Sequence, residues 1–280
     1  MTVHIVTDSA CDLSDELIEN GDITVVPLSI RFGREELVDR RDLTTDAFWR
    51  RLPNASELPS TAAPSAGAFE DAFRAAAENG ATEVVCINLS SNLSATMQSA
   101  QLAARAVADI VPVTIIDSEQ VSMGLGSLVV LAAGMAAEGA RAESIGREVI
   151  SARNHTRLFG ALDTLEFLHR GGRIGGAKAM LGSMLSIKPL IEVRNGHVEE
   201  AGKVRTRSKA LQFLVEKVQA QPVTSLSVLH GAAPDLEQFL DMLDPIVPRS
   251  EILVGTVGPV IGTHAGPGVI GVTFRVAHDR

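Results

Sequence analysis

The sequence opens with Val3-His4-Ile5-Val6-Thr7-Asp8-Ser9, a β-branched run that ends in an acidic residue and a hydroxyl. Similar endings follow two later runs: 83–89 leads into Ser90-Ser91, and 113–116 leads into Asp117-Ser118. Helical patterns separate the runs, and this alternation is typical of a parallel α/β sheet. Parallel strands end at one edge of a sheet, where such proteins bind ligands. Helix capping explains any one pair, but three together predict a site at this edge.

Further along the chain, the pattern of predicted strands and helices changes near residue 155. Residues 1–154 are predicted to form an N-terminal α/β domain, with an irregular, proline-containing excursion at about 22–64 that lies over the ligand edge. In residues 155–280, Asn195-Gly196 lies between two extended runs, which is a strong hairpin signal. Strands and helices are mixed in this half, so we expect a C-terminal two-layer α+β domain with a mainly antiparallel sheet. The glycine-rich stretch 258–268 is interpreted as a loop between strands.

Composition excludes several classes of function. The net charge of −9, the aromatic content of 4% and the absence of tyrosine argue against a nucleic-acid-binding surface. No apolar stretch reaches the ~18 residues of a membrane span, and the first residues lack the pattern of a signal peptide. The two cysteines, Cys11 and Cys86, form no CxxC pair. We therefore expect a cytoplasmic protein without a metal or cofactor and without integral membrane association.

Common enzyme motifs are absent from the sequence. It contains no GxSxG nucleophile elbow, no phosphate-binding P-loop and no HExxH. A Ser/His/Asp triad can still be assembled from Ser94, His264 and either Asp8 or Asp117. A serine-type acyl hydrolase that uses Ser94 and His264 is therefore kept as an alternative function.

Four stretches combine polar groups with unusual backbone signals. Prolines on both sides of Ser60-Thr61 predict a rigid segment that orients two hydroxyls. Residues 89–100 place several hydroxyls where a strand becomes a helix, and free amides there favour an anion. Residues 165–174 are predicted to contain a short helix that the paired glycines end, with arginines on both sides of them. In 258–268, His264 lies among glycines that allow close approach of a ligand.

These four stretches, together with Thr7-Asp8-Ser9-Ala10-Cys11-Asp12-Leu13, resemble the DegV family of bacterial fatty-acid-binding proteins over essentially the whole chain. The resemblance implies a two-domain fold with one long acyl chain, in the C14–C18 range, buried at the domain interface. It also implies that the protein is the acyl-carrying subunit of a bacterial fatty acid kinase and is not itself an enzyme. A separate ATP-dependent subunit then phosphorylates the fatty acid carboxylate, a step of phospholipid metabolism.

The resemblance also implies roles for particular residues. The residues implied to bind the carboxylate are Thr61, Ser94 and His264. Further candidates near the site are Ser60, Ser91, Gly262 and Thr263. Ala62-Ala63 and Ala95-Thr96-Met97 depart from the family pattern, which leaves the pocket lining and acyl preference open.

The kinase-docking surface is implied to contain Arg170, Arg173 and Arg205. Lys203, Arg205 and Arg207 alternate on a predicted strand and should share one face.

Apolar burial is expected to supply most of the affinity for such a ligand. Each buried methylene contributes roughly 0.8 kcal/mol, so about fifteen contribute on the order of 12 kcal/mol before the cost of association. Neutral hydroxyls can then orient the carboxylate without a strong ion pair to arginine. A lipid sensor with no kinase partner is a further alternative.

Overall fold

The computed structural model describes residues 2–183 and 187–277. The strands in these residues are β1 (Val3–Asp8), β2 (Ile23–Val26), β3 (Ser29–Phe32), β4 (Glu35–Val38), β5 (Ser60–Ala62), β6 (Glu83–Asn88), β7 (Val113–Asp117), β8 (Thr156–Ala161), β9 (Lys188–Arg194), β10 (His197–Val204), β11 (Val223–His230), β12 (Ile252–Thr256) and β13 (Ile270–Val276). The α-helices are α1 (Asp15–Asn20), α2 (Thr45–Arg51), α3 (Ala66–Glu78), α4 (Thr96–Ala106), α5 (Ser122–Ala137), α6 (Ala142–His155), α7 (Glu166–Arg170), α8 (Arg207–Gln219), α9 (Leu236–Leu243) and α10 (Pro259–Ala265).

The first sheet is parallel throughout and has the order β2-β1-β6-β7. Alternate residues of its strands face opposite sides, so Val6 packs in one apolar cluster with Phe69 of α3, and Ile5 in another with Leu125 of α5. Helices α3 and α4 therefore cover one face of the sheet, and α5 and α6 cover the other. This is the α/β arrangement predicted for the N-terminal half.

The excursion forms a small antiparallel sheet of its own, with the order β4-β3-β5. Helix α2 lies between β4 and β5 in the chain. Phe48 and Trp49 of α2 are buried with ring centroids 5.0 Å apart. The indole Nε1 of Trp49 donates a hydrogen bond to Val257 O at 2.8 Å. The excursion is therefore attached to the C-terminal half, where β5 and Thr61 lie against α10.

The third sheet has the order β10-β9-β8-β13-β11-β12, with four antiparallel pairings and one parallel pairing. Helices α8 and α9 cover one face, where Leu211, Leu214 and Phe239 are buried. The predicted fold class, a parallel α/β part followed by a mainly antiparallel α+β part, is confirmed.

The predicted hairpin is also present. Asn195 and Gly196 have φ of 52° and 77°, as a type I′ turn requires. Ser90 Oγ donates to Gly196 O at 2.7 Å, so this turn is fastened to the edge of the first sheet.

Two local predictions are wrong. Residues 259–265 form α10 and not a loop, because Pro259 fits the first helical turn and Gly266, at φ 76°, ends the helix. Strand β10 ends at Val204, so Arg207 begins α8, and its Nε donates to Asp235 Oδ2 at 2.6 Å. Arg205 and Arg207 therefore both lie outside the strand, and the predicted strand face shared by Lys203, Arg205 and Arg207 is not formed.

No helix within the described residues is long and apolar enough to cross a membrane.

Candidate functional site

A cavity separates the third sheet, on the face opposite α8 and α9, from the N-terminal half. Most of its lining is aliphatic. The apolar residues around it are Leu28, Leu89, Leu93, Val121, Leu158, Phe159, Gly160, Leu162, Leu168, Ile191, Val193, Val198, Leu229, Val257, Val260, Ile261, Ala265, Val269, Gly271 and Val272. Its polar lining residues are Thr61, Ser94, Ser122, Arg173, His264 and Thr273.

Four of the polar residues come from separate elements. Thr61 lies in β5, opposite Ile30 of β3, and Ser94 lies just before α4. His264 is in the last turn of α10, and Arg173 follows α7. The fold brings together Thr61, Ser94 and His264, the three residues that we predicted at the carboxylate, in the wall of one cavity. We refer to these three residues with Arg173 as the polar cluster.

Thr61 and His264 are in direct contact. Thr61 Oγ1 and His264 Nε2 are 2.9 Å apart, at hydrogen-bond distance. The other ring nitrogen, Nδ1, is buried without a hydrogen-bond partner and lies against Gly171, where an added Cβ would be 2.3 Å from it. Burial, and then the charge of Arg173, lower the pKa of His264 to about 4. At neutral pH this imidazole is therefore uncharged.

Ser94 lies at the positive end of a helix dipole. Ser94 Oγ accepts a hydrogen bond from Thr96 N at 3.3 Å, and the same Oγ lies 2.9 Å from Thr96 Oγ1. The 11-residue helix α4 begins at this point, and its first amides favour a negative group. The helix start therefore gives this part of the cavity wall a positive potential that suits a negative group.

Arg173 adds a positive charge to the cavity wall. Its Nε donates to Leu93 O at 3.0 Å, and its Nη1 donates to Gly171 O at 2.7 Å. The Arg173 side chain is therefore held beside Ser94 and His264. We had predicted Arg173 on the docking surface, and only neutral groups at the carboxylate. Arg170 and Arg205, the other predicted docking residues, are exposed, and Arg170 pairs with Glu166 at 3.0 Å.

The other four predicted residues do not line the cavity. Ser60 is exposed on β5, and exposed Ser91 hydrogen-bonds Asp117. Gly262 is buried against Phe48 and Trp49. Thr263 is buried, and its Oγ1 donates to Pro259 O at 2.8 Å.

The strand-end residues hold the sheet edge together and do not line the cavity. Asp8 is buried and accepts from Leu89 N at 2.8 Å and from Asn88 Nδ2 at 3.1 Å. Burial raises the pKa of this carboxyl to about 6. Asp117 accepts from the backbone of Ser91 and of Glu119. Of these residues only Asp8 caps a helix, a single 3-10 turn at 9–11, by accepting from Ala10 N at 3.1 Å, whereas Ser91 and Asp117 bond to each other across the sheet edge. On this side the cavity begins further along the chain, at Leu93 and Ser94.

The hydrolase arrangement is not formed. His264 Nε2 is paired with Thr61 and not with Ser94, and no carboxylate orients Nδ1 in the described part of the chain. Asp8 and Asp117 are engaged elsewhere. Among the same residues, no group of three or more His, Cys, Asp or Glu side chains could hold a metal ion.

Two lining residues were missed by the sequence reasoning, Ser122 and Thr273. Ser122 has φ 51° and donates from Oγ to Asp12 Oδ2 at 2.6 Å, and Asp12 Oδ1 accepts from Gly258 N at 3.0 Å. Burial raises the pKa of Asp12 to about 7. Side-chain alternation along the last strand could have identified Thr273, but nothing in the sequence indicates that Ser122 approaches Asp12.

A family model described as "Uncharacterised protein, DegV family" matches residues 2–276. The chain belongs to the DegV family. A DegV domain-containing protein of Streptomyces coelicolor is 37% identical over 276 residues, which cover 96% of this chain and 97% of that protein.

Solved DegV structures have the same fold. A DegV family protein of Thermus thermophilus, described by its fatty acid binding, has a TM-score of 0.91 and 31% identity, and covers 99% of this chain and 100% of its own. A stearic acid-binding protein of Eubacterium ventriosum has a TM-score of 0.87 and 28% identity, with 98% of each chain covered. These relatives bind fatty acids on the same DegV fold.

Proposed function

We propose that this protein binds one long-chain fatty acid, in the C14–C18 range, with its acyl chain in the cavity and its carboxylate at the polar cluster. The observation that carries the proposal is an aliphatic cavity with Thr61, Ser94 and His264 in its wall. A fatty acid has the same division, an apolar chain with one polar end. Apolar burial supplies the affinity, and the polar cluster orients the head group.

The charges of the polar cluster suit a carboxylate. Arg173 and the start of α4 supply positive potential, while His264 is neutral. With its proton on Nε2, His264 donates to Thr61 Oγ1, which leaves the Thr61 hydroxyl free to donate to the carboxylate. The polar cluster therefore combines hydroxyl donors with one cation.

We further propose that the bound fatty acid is the substrate of a separate ATP-dependent kinase subunit. A carboxylate oxygen attacks the γ-phosphorus of ATP and forms the new P–O bond, and the bond to the β-phosphate breaks to release ADP. The protein presents the carboxylate and performs no covalent step. Exposed Arg170 on α7, which pairs with Glu166, directly precedes Gly171, and Gly171 lies against His264, so this arginine lies on the surface near the polar cluster.

Acyl-phosphate formation by the purified kinase subunit tests the carrier role. We expect Arg170→Ala and Arg205→Ala each to slow the reaction about fivefold, since an exposed charge contributes roughly 1 kcal/mol to an encounter. Fatty acid binding should be unchanged. Arg147→Ala is the matched control, because Arg147 forms the same i,i+4 pair with glutamate on α6, which does not line the cavity.

Higher salt should slow the unmodified protein in the same direction. Equal rates for both variants and Arg147→Ala would place the docking surface elsewhere. Fatty acid binding without any acyl phosphate would instead favour a lipid sensor.

A further inference from the structure

The floor of the cavity is a groove over two paired glycines. Strands β8 and β13 are antiparallel, with Gly160 opposite Gly271 and Leu158 opposite Thr273. Residues two apart share a face of a strand, so Val269, Gly271 and Thr273 follow one another along the cavity side. Neither glycine has a side chain to fill the space above it, and an acyl chain can therefore lie along this line.

Thr273 lies at the end of the groove away from the polar cluster. Helix α10, which carries His264, leads directly into the start of β13, and Arg173 follows soon after the end of β8. Leu158 and Thr273 lie toward the opposite ends of these two strands. From Val269 to Thr273 the strand advances about 13 Å, which an extended alkyl chain covers in roughly ten carbon atoms.

The hydroxyl of Thr273 is buried and unpaired. Thr273 is 3% exposed, and its Oγ1 has no hydrogen-bond partner, although Ser227 lies opposite it on β11. A buried hydroxyl without a partner costs about 1–3 kcal/mol, and valine would fill the same space without that cost. The aliphatic part of the cavity therefore contains one polar group that only a ligand atom or water can satisfy.

A second unpaired polar atom lies close to this end. Gln120 is 4% exposed, and its Oε1 has no hydrogen-bond partner. Gln120 Oε1 and Leu158 Cδ1 would lie 2.7 Å and 3.3 Å from a Cβ added at Gly124 of α5, so both lie against that glycine. Leu158 is the cross-strand neighbour of Thr273. The distal end of the groove is therefore more polar than an unsubstituted alkyl chain requires.

We propose that the cavity accepts a fatty acid with a hydroxyl group in the distal half of its chain, and that Thr273 hydrogen-bonds this hydroxyl. The proposal rests on the fatty-acid-binding function and specifies the ligand class of the same cavity. An unsubstituted chain fits the groove but leaves Thr273 unpaired. Thr273 is therefore a specificity-determining residue and not part of the polar cluster.

Competition binding with four pure ligands tests this proposal: stearate, 10-hydroxystearate, 12-hydroxystearate and 2-hydroxystearate. The 10- or 12-hydroxy acid should bind the unmodified protein at least as tightly as stearate. In Thr273→Val, its affinity relative to stearate should fall about tenfold, because one hydrogen bond is lost and a ligand hydroxyl is left unpaired. Thr273→Ser keeps a hydroxyl and should keep the preference, and 2-hydroxystearate should respond to neither substitution.

The proposal is wrong if the ratio of hydroxystearate to stearate affinity is the same in the unmodified protein and in Thr273→Val, as it would be if water satisfied the hydroxyl. It is also wrong if the unmodified protein binds stearate at least tenfold more tightly than both 10-hydroxystearate and 12-hydroxystearate. This comparison can be made without any substitution. Failure of all four ligands to bind would contradict the proposed function itself. Normal stearate binding with no effect of Thr273→Val would contradict only the role of Thr273.

Discussion

The polar cluster depends on individual hydrogen bonds, one of which joins two residues that are distant in sequence. Thr61 Oγ1 lies 2.9 Å from His264 Nε2, and Ser94 Oγ lies 2.9 Å from Thr96 Oγ1. These contacts fix the two hydroxyls before any ligand binds. A fixed donor loses little conformational freedom on binding, so each hydroxyl should contribute a measurable part of the head-group affinity.

Removal of either hydroxyl should weaken binding without unfolding the protein. A hydrogen bond to a charged group contributes about 1.5–3 kcal/mol, so Ser94→Ala and Thr61→Val should each raise the Kd for palmitate by roughly ten- to a hundredfold. Titration calorimetry measures the change, and thermal unfolding checks the fold. Ser91→Ala is the matched control, because Ser91 is exposed and pairs with Asp117. Normal binding by both Ser94→Ala and Thr61→Val would contradict the proposed head-group site.

Residue types and neighbouring prolines or glycines pointed to the stretches that contain these residues, and the family resemblance implied Thr61, Ser94 and His264, which share one cavity in the fold. The sequence did not indicate that Arg173 lies beside Ser94 and His264, because its environment depends on Leu93 O and Gly171 O, which α4 and α7 bring near it. It also did not show that Ser91 pairs with Asp117 of the neighbouring strand. Such contacts depend on tertiary packing, which no local motif encodes.

At the scale of elements, the acyl groove depends on the pairing of β8 with β13. Gly160 and Gly271 are opposite each other, and both line the cavity. A Cβ added at Gly160 would meet Ile191 at 3.4 Å, an ordinary contact, whereas one at Gly271 would lie 2.8 Å from the backbone oxygen of Phe159. Gly160 is therefore the position at which the groove can be narrowed without distorting the strand.

Gly160→Val should narrow the groove and select against long chains. The added side chain occupies space that the acyl chain needs, so we expect stearate affinity to fall by about five- to a hundredfold, since overpacking costs about 1–3 kcal/mol. Octanoate, which extends less far along the groove, should lose less. Gly160→Ala is the graded control and should have an intermediate effect. Equal loss for stearate and octanoate, or no loss for either, would show that the acyl chain does not lie over Gly160.

Periodicity predicted the strands and helices well where one face of an element is buried. The Asn195-Gly196 turn between two extended runs identified the β9–β10 hairpin. Helix α10 was missed because six of the eleven residues in 258–268 are glycine or proline, although Pro259 and Gly266 occupy ordinary helix-end positions. Its stability comes from burial, as in the contact of Gly262 with Phe48 and Trp49.

For the whole molecule, the cavity exists because the third sheet faces segments that follow the strands of the first sheet, such as those with Leu89, Ser94 and Ser122. The first sheet comes from residues 3–117, and the third comes from residues 156–276. Trp49 with Val257, Asp12 with Gly258 and Ser90 with Gly196 join the two halves by hydrogen bonds. The division of the chain into domains at 154 and 155 stays a prediction, but these contacts explain why the ligand site needs both halves.

The most direct test of fatty acid binding is mass spectrometry of the purified, unmodified protein under native and then denaturing conditions. We expect the native mass to exceed the denatured mass by one C14–C18 fatty acid, and solvent extraction to recover about one such molecule per chain. Protein stripped of lipid should take up added palmitate or stearate to the same ratio. Recovery of no lipid from folded protein, with no uptake of either fatty acid, would contradict the proposed function.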